Sequence, residues 1–115
     1  MKEIKAYIRR HRVNSVIEEL QKAGAPGITV VEVHPVGYGY DPNYFESHSF
    51  SVTERYAHWD VVKLEVVCAD DETEKLIEAI RQQSQTGGKG DGRIFVSEVV
   101  DAIRVRDGTR GEKAL

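Results

Sequence analysis

The chain has 115 residues, 40% of them hydrophobic, which suits one domain with a real core and leaves little room for two. Its net charge of −3 at pH 7 argues against a nucleic-acid-binding protein, which usually needs a basic excess. A single cysteine excludes a disulfide framework, and no apolar run approaches the roughly 20 residues that span a bilayer. Because the N-terminus also lacks the apolar core of a signal peptide, we expect a cytoplasmic protein.

The chain opens with a predicted strand and a predicted helix. Residues 3–8 alternate between apolar and polar side chains, as a half-buried strand does. Residues 13–23 carry apolar side chains at helical spacing, with Asn14 or Ser15 near the N-terminal cap. Gly24 supplies the C-terminal stop.

Two more strands and a second helix follow. The β-branched run 28–34 and the alternating run 59–68 predict strands. The next helix begins at Asp70 and Asp71, which we expect to cap it, and ends near Ser84. The long connection between the two strands has no apolar periodicity, and such connections in compact domains are usually functional or disordered.

A glycine-rich segment and a short strand complete the predicted fold. The segment TGGKGDGRIFV, residues 86–96, leads into a strand at 94–96. The order strand, helix, strand, strand, helix, strand is that of the ferredoxin-like α+β fold, a four-stranded antiparallel sheet with two helices on one face. The other face carries apolar as well as charged residues, so we expect an oligomer to bury it.

The glycine-rich segment is a candidate anion-binding loop. Glycines free successive backbone N–H groups from side-chain cover, and such groups can cradle a phosphate. Lys89 and Arg93 would add positive charge. The Walker pattern GxxxxGK[ST] is absent and no helix follows. The spacing fits a flexible glycine turn equally well.

The segment IRVRDGTRG is a second candidate anion site. Arg104 and Arg106 are two residues apart, so on a strand they would point to the same face. Two guanidinium groups on one face repel each other unless an anion lies between them, and their planar forks match phosphate geometry. The alternative is two surface arginines that pair with separate carboxylates.

Other reactive side chains give no clear signal. No nucleophile–base pair or pair of catalytic carboxylates stands out, so we predict no enzyme activity. The spacing of His34, His48 and His58 fits no familiar metal-ligand pattern, and we interpret them as solvated. Cys68 lies in an apolar run and is interpreted as a small buried residue.

Three segments resemble the P-II signal-transduction family, also called nitrogen regulatory protein P-II: KLEVVCADD, TGGKGDGRIFV and AIRVRDGTRGEKAL. The opening segment, KEIKAYIRRHRVNSVIEELQKAGAPGITVVEV, is similar too, so the resemblance covers the chain except residues 38–60. It implies one domain over residues 1–115 and a homotrimer whose sheets line the centre. It also implies a non-catalytic protein without a cofactor that binds ADP, ATP or AMP in clefts between subunits.

The resemblance further implies a set of nucleotide-binding residues. Residues 86–93 would be the B-loop of one subunit, and residues 104–115 the C-loop of the next. Arg93 stands where the family usually has lysine, which keeps the charge but changes the donor geometry. The implied set is Thr29, Gly37, Glu65, Gly90, Asp91, Gly92, Arg93, Arg104 and Arg106.

Residues 37–60 would be the T-loop, through which the family contacts partner proteins. This segment is longer than the family's GFGRQKGHTELYRGAEY and differs from it. Its aromatic side chains would anchor a partner, such as a transporter or a metabolic enzyme, or would pack against one another or the body. The implied partner contacts are Tyr40, Tyr44, Phe45, Phe50 and Tyr56.

Two departures from the family concern the second effector. Gly39 stands near the glutamine that helps to bind Mg-ATP and 2-oxoglutarate, and Val61 stands where the lysine for 2-oxoglutarate belongs. We therefore expect an adenine-nucleotide sensor with bicarbonate or another small anion as co-effector, in inorganic-carbon regulation. The alternative is a conventional nitrogen regulator that senses ATP or ADP and 2-oxoglutarate.

Overall fold

The computed structural model describes residues 1–36, 60–88 and 90–115. Within them, four antiparallel strands form one sheet in the order β2-β3-β1-β4, and two α-helices are present. This element order confirms the predicted ferredoxin-like α+β fold. The elements are β1 Lys2–Arg9, α1 Val13–Lys22, β2 Thr29–Glu32, β3 Val61–Cys68, α2 Thr73–Ser84 and β4 Gly92–Glu98.

Several predicted functional residues lie outside the described part of the chain. Among them are Gly37, Gly39 and Lys89. The predicted partner contacts of the T-loop also lie there: Tyr40, Tyr44, Phe45, Phe50 and Tyr56.

The core lies between the sheet and the two helices. Ile4, Ala6 and Ile8 of β1 are buried, and each faces a buried residue of β3 in register. The intervening residues of both strands lie on the opposite, open face, as the alternation predicted. The helices close the core with buried side chains that each contribute about 1.5–3 kcal/mol relative to exposure. These side chains are Val16, Leu20, Leu76 and Ile80.

Both α-helices begin through a 3-10 turn, Arg10–Arg12 before α1 and Asp70–Glu72 before α2. Neither helix has a side-chain hydrogen bond at its N-terminal cap. Asn14 and Ser15 lie near the cap of α1, as predicted, but the prediction that Asp70 and Asp71 cap α2 is wrong, because its cap residue is Glu72. The tighter i→i+3 bonding of a 3-10 turn already satisfies part of the helix end. Asp70 instead pairs with the N-terminal amino group at 3.0 Å.

The end of α1 is as predicted. Gly24 has a φ of +86°, a left-handed conformation that glycine adopts without strain. Its N–H donates to the carbonyl of Gln21 at 3.1 Å, and the N–H of Ala25 donates to the carbonyl of Leu20 at 3.0 Å. These two bonds form a Schellman motif, which satisfies the last carbonyls of the helix.

Strand bounds differ from the prediction near the candidate site. β4 begins at Gly92 rather than at residue 94, because β1 offers pairing partners as far as Ile8, which lies opposite Gly92. Residues 104–106 do not form a strand: they lead into a turn that a bridge between Ile103 and Arg110 closes. Among the described residues, no helix combines the length and the hydropathy needed to cross a membrane.

Candidate functional site

The glycine loop, residues 86–93, is organised around the carboxylate of Asp91. That carboxylate accepts hydrogen bonds from the Thr86 hydroxyl at 2.5 Å, the Thr86 N–H at 2.6 Å and the Gly87 N–H at 3.0 Å. These bonds, the one from the Thr86 hydroxyl above all, hold the pKa of Asp91 below its ordinary value. The Gly88 N–H donates to the Thr86 hydroxyl at 3.2 Å. An incoming anion would therefore meet residues 90–93, since the first three amides already bond within the loop.

A close contact between strands requires glycine at position 92, a role that differs from both an anion-binding loop and a flexible turn. The φ of Gly92 is +111°, and a Cβ at this position would lie 1.8 Å from the carbonyl oxygen of Tyr7. The glycine thus permits the close approach of β4 to β1. Part of the glycine content serves the pairing of the chain's own strands rather than a ligand.

Arg9 connects the last turn of the loop to the end of β1. Its Nε donates to the carbonyl of Gly90 at 3.1 Å, and a terminal nitrogen lies 3.7 Å from a carboxylate oxygen of Asp91. Sequence reasoning missed this residue, because its partners are more than 80 positions away. The available signal was its place directly after the predicted strand at residues 3–8.

Arg93 lies on the open face of the sheet, directly opposite Tyr7 in the pairing of β4 with β1. The rings of Tyr7 and Phe95 stack edge to face there, with centroids 6.0 Å apart. Phe95 is 49% exposed, so the open face presents an aromatic patch beside a cation. The expected mixture of apolar and charged side chains on this face is confirmed.

A cavity of about 280 Å³ lies at the other edge of the sheet, next to β2. Thr29 and Glu65 line it and face each other in the pairing of β2 with β3. Glu65 pairs with Lys63 at 2.9 Å, an ion pair that raises the pKa of Lys63. A carboxylate and a hydroxyl suit the N–H groups of a base better than they suit a phosphate. The remaining lining residues are Glu3, Pro26, Gly27, Val67 and Leu115.

The two arginines of the C-terminal segment share an anion from their own chain. Arg104 and Arg106 approach the same carboxylate oxygen of Asp107 at 3.4 and 3.7 Å, and Arg104 also donates to the carbonyl of Lys113 at 2.6 Å. The prediction that they point from one face of a strand is wrong, because Arg104 precedes a turn and Arg106 lies within it. Hydrogen bonds from Thr109 first, and then from the guanidiniums, lower the pKa of Asp107.

One chain does not bring the predicted nucleotide-binding residues together. β3 and β1 separate Thr29 on β2 from β4, and three strand spacings of about 4.8 Å amount to about 14 Å. Leu115 lines the cavity at β2, so the end of the C-terminal segment lies on that side. We name the two groups the glycine-loop half, residues 86–93, and the β2-edge half, which comprises Thr29, Glu65 and residues 101–115.

Comparison with known proteins decides the family. The family profile described as "Nitrogen regulatory protein P-II" matches residues 1–109. The chain belongs to the P-II family. Sequence resemblance had predicted this membership, which is thereby confirmed.

Similar P-II proteins come from bacteria, archaea and plants. "Nitrogen regulatory protein P-II" of Rhizobium meliloti (strain 1021) is 42% identical over the full length of both chains. "Nitrogen regulatory protein P-II 2" of Methanothermobacter thermautotrophicus is 35% identical over 100% of this chain and 97% of its own. The "Nitrogen regulatory protein P-II homolog" of Arabidopsis thaliana is 40% identical over 96% of this chain and 56% of its own.

Family membership bears on several predictions. P-II proteins are homotrimeric, non-catalytic regulators that bind adenine nucleotides, so the prediction of a regulator rather than an enzyme is confirmed. The names of these relatives favour the conventional nitrogen regulator over the expected role in inorganic-carbon regulation. In the described ranges, no three His, Cys, Asp or Glu side chains group as ligands of a metal ion.

Proposed function

We propose that this chain is a homotrimeric P-II regulator that binds an adenine nucleotide, ATP, ADP or AMP, between subunits. The nucleotide controls how residues 37–60, the T-loop, engage a transporter or a metabolic enzyme. The single domain then spans residues 1–115, with the B-loop at 86–93 and the C-loop at 104–115. The observation that carries this proposal is the placement of the two halves at opposite edges of one sheet.

The two halves complement each other in charge and shape. In the glycine-loop half, the backbone of residues 90–92 and the Arg93 guanidinium meet the phosphates, while the Asp91 carboxylate shapes the loop. In the β2-edge half, Thr29 and Glu65 bind the base. Their cavity of about 280 Å³ contains neither Arg93 nor the glycine loop, which supports a site completed by a neighbouring subunit.

Arg104 and Arg106 supply the remaining phosphate contacts from the β2-edge half. Asp107 neutralises only one of their two charges, and Arg106 is 81% exposed, so its fork is free to turn toward a ligand. Charge-assisted bonds between guanidinium and phosphate are about twice as strong as neutral ones. Gly37 and the T-loop aromatics complete the proposed set from outside the described residues.

Mixed trimers test this shared site. A chain with Arg93→Gln loses the glycine-loop half, and a chain with Thr29→Ala and Arg104→Gln loses the β2-edge half. Each variant alone should bind ATP weakly, whereas each mixed trimer, formed by partial unfolding and refolding together, regains one intact site. Calorimetry should then recover tight binding at a fraction of the full stoichiometry. No recovery would contradict a site shared between subunits, and a monomer in light scattering would contradict the assembly.

The second effector is the finer question. The names of the relatives support a nitrogen regulator, for which the family resemblance implies 2-oxoglutarate as the effector. The apolar Val61, which is 4% exposed, supports a smaller anion such as bicarbonate. Loss of one charge-assisted contact costs about 1.5–3 kcal/mol, or roughly 10- to 150-fold in affinity. Calorimetry in Mg-ATP with each anion separates the two. Tight synergistic binding of 2-oxoglutarate would reject the role in inorganic carbon, and synergy with bicarbonate alone would support it.

A further inference from the structure

Arg10 joins two chain positions that lie far apart in sequence. It follows β1 directly, and its guanidinium forms a two-pronged contact with the carboxylate of Glu32, one prong at 2.8 Å. Its Nε also donates to the carboxylate of Asp60 at 2.5 Å, and its backbone N–H donates to the Asp60 carbonyl at 2.9 Å. Glu32 is the last residue of β2, and Asp60 immediately precedes β3. One side chain therefore bonds to the two residues that flank the segment 33–59.

The geometry makes this contact more than an ordinary surface ion pair. Exposed single pairs contribute little, because solvent screens them and two long side chains must be ordered. Here one planar fork serves two carboxylates, and a backbone bond fixes the turn that carries it. Without Arg10, the two negative charges of Glu32 and Asp60 would repel each other. The fork also lowers the pKa of Glu32, so the carboxylate stays charged down to more acidic pH.

The neighbouring residue turns toward the glycine loop. Arg9 bonds to the carbonyl of Gly90 and approaches Asp91, while Arg10 bonds to Glu32 and Asp60. Two consecutive residues thus hold the proposed phosphate-binding loop and the base of the T-loop. Because the two side chains stand on adjacent residues at the end of β1, we expect a displacement of the glycine loop to reach the residues that flank the segment.

We propose that Arg10 is a positioning residue, which fixes the spacing of the two ends of residues 33–59 and, through Arg9, couples that spacing to the state of the glycine loop. The proposed role in spacing rests only on the contacts of Arg10 with Glu32 and Asp60. The coupling rests on the proposed function, because it requires a nucleotide at the glycine loop.

Limited trypsin digestion tests the spacing without any nucleotide. Arg55 is the only lysine or arginine between residues 33 and 60, so cleavage after it reports on this segment alone. Arg10→Gln should raise the initial rate of that cleavage by about two- to fivefold, and Arg10→Lys, which keeps the charge but loses the fork, should lie between. The matched control is Lys22→Gln, which removes an exposed cation that pairs with Glu18 and Glu19 on α1.

A changed fold could also raise the cleavage rate, so a second variant guards against that. Glu32→Gln removes the other side of the contact and should accelerate cleavage in the same direction. Thermal unfolding of each variant, followed by circular dichroism, should match the wild type within a few degrees. An unchanged cleavage rate in both Arg10→Gln and Glu32→Gln would overturn the positioning role.

Fluorescence of Trp59 tests the coupling. It is the only tryptophan and adjoins Asp60, so its emission reports on one end of the segment. In the wild type, saturating ATP or ADP should change the emission. Arg10→Gln should bind the nucleotide with nearly unchanged affinity by calorimetry, yet lose at least half of that change. A full emission change in Arg10→Gln, or none in a wild type that binds nucleotide, would overturn the coupling. Absence of binding to the wild type would instead reject the proposed function and leave the trypsin result standing.

Discussion

The glycine loop and the C-terminal turn are built alike and differ in how they use a carboxylate. In both, an aspartate accepts bonds from the hydroxyl and the N–H of one threonine: Asp91 from Thr86, and Asp107 from Thr109. Asp107 binds Thr109 through one oxygen and leaves the other for two guanidiniums. Asp91 uses both oxygens for donors of its own loop.

This difference separates the roles of the two carboxylates. At the C-terminal turn, the phosphate of the proposed site would compete with Asp107 for the same two arginines. At the glycine loop, that phosphate would meet Arg93 and the backbone of residues 90–92 without competing for the donors that Asp91 holds. In the proposed site, Asp107 would therefore compete with the ligand for its cations, whereas Asp91 would hold the loop in shape.

The largest expected effect concerns the glycines of the two regions. Gly92→Ala places a methyl group 1.8 Å from the carbonyl oxygen of Tyr7, whereas Gly108→Ala, at a φ of +73°, meets nothing within 4 Å. We expect Gly108→Ala to lower the free energy of unfolding by about 1–2 kcal/mol, the cost of a left-handed alanine. Gly92→Ala should cost more than about 3 kcal/mol, because β4 must also move from β1.

Urea denaturation measures the free energy of unfolding of the two variants. Similar losses of stability would mean that Gly92 tolerates a side chain and that the loop glycines are a flexible turn. A severe loss confined to Gly92→Ala would support the role of this glycine in strand pairing.

The sequence predicted the fold better than it predicted the contacts within the site. Alternation in β1 and β3, and the stop at Gly24, were sufficient for the element order, because they depend on neighbours along the chain. The Asp107–Thr109 contact also had a local signal, since aspartate often bonds to a backbone N–H two residues later. Arg9 and Arg10 had no signal beyond their place just after a predicted strand, because their partners lie 22 to 82 positions away and follow no period.

The next effect is a change in ATP affinity that should have opposite signs in the two regions. In Asp107→Asn, the remaining oxygen keeps Thr109 while the amide releases the arginines, so ATP affinity should rise by about two- to fivefold. In Asp91→Asn, one of two oxygens that accept loop donors is lost, so affinity should fall by roughly tenfold. Calorimetry measures both, with Glu78→Gln on α2 as the control. Changes of the same sign would show that the two carboxylates play one role.

The smallest effect is the pH dependence of the two carboxylates. Hydrogen bonds, first from the threonine hydroxyl in each case, lower the pKa of both Asp91 and Asp107. A carboxyl group with a lowered pKa contributes stability that is present above its unfolded pKa, about 3.9, and lost as pH falls through its folded pKa.

Between pH 6 and 4, the amide resonances of Thr86 and Thr109 should therefore stay constant, and both should move below pH 4. Asp91 also accepts a hydrogen bond from the Gly87 N–H, so its protonation should speed hydrogen exchange of the Gly87 amide. At Asp107 the corresponding backbone bond comes from Thr109 alone, so we expect no such effect at a second amide of the C-terminal turn. A shift of the Thr86 resonance already at pH 5 would mean that the carboxylate of Asp91 is not held by its loop.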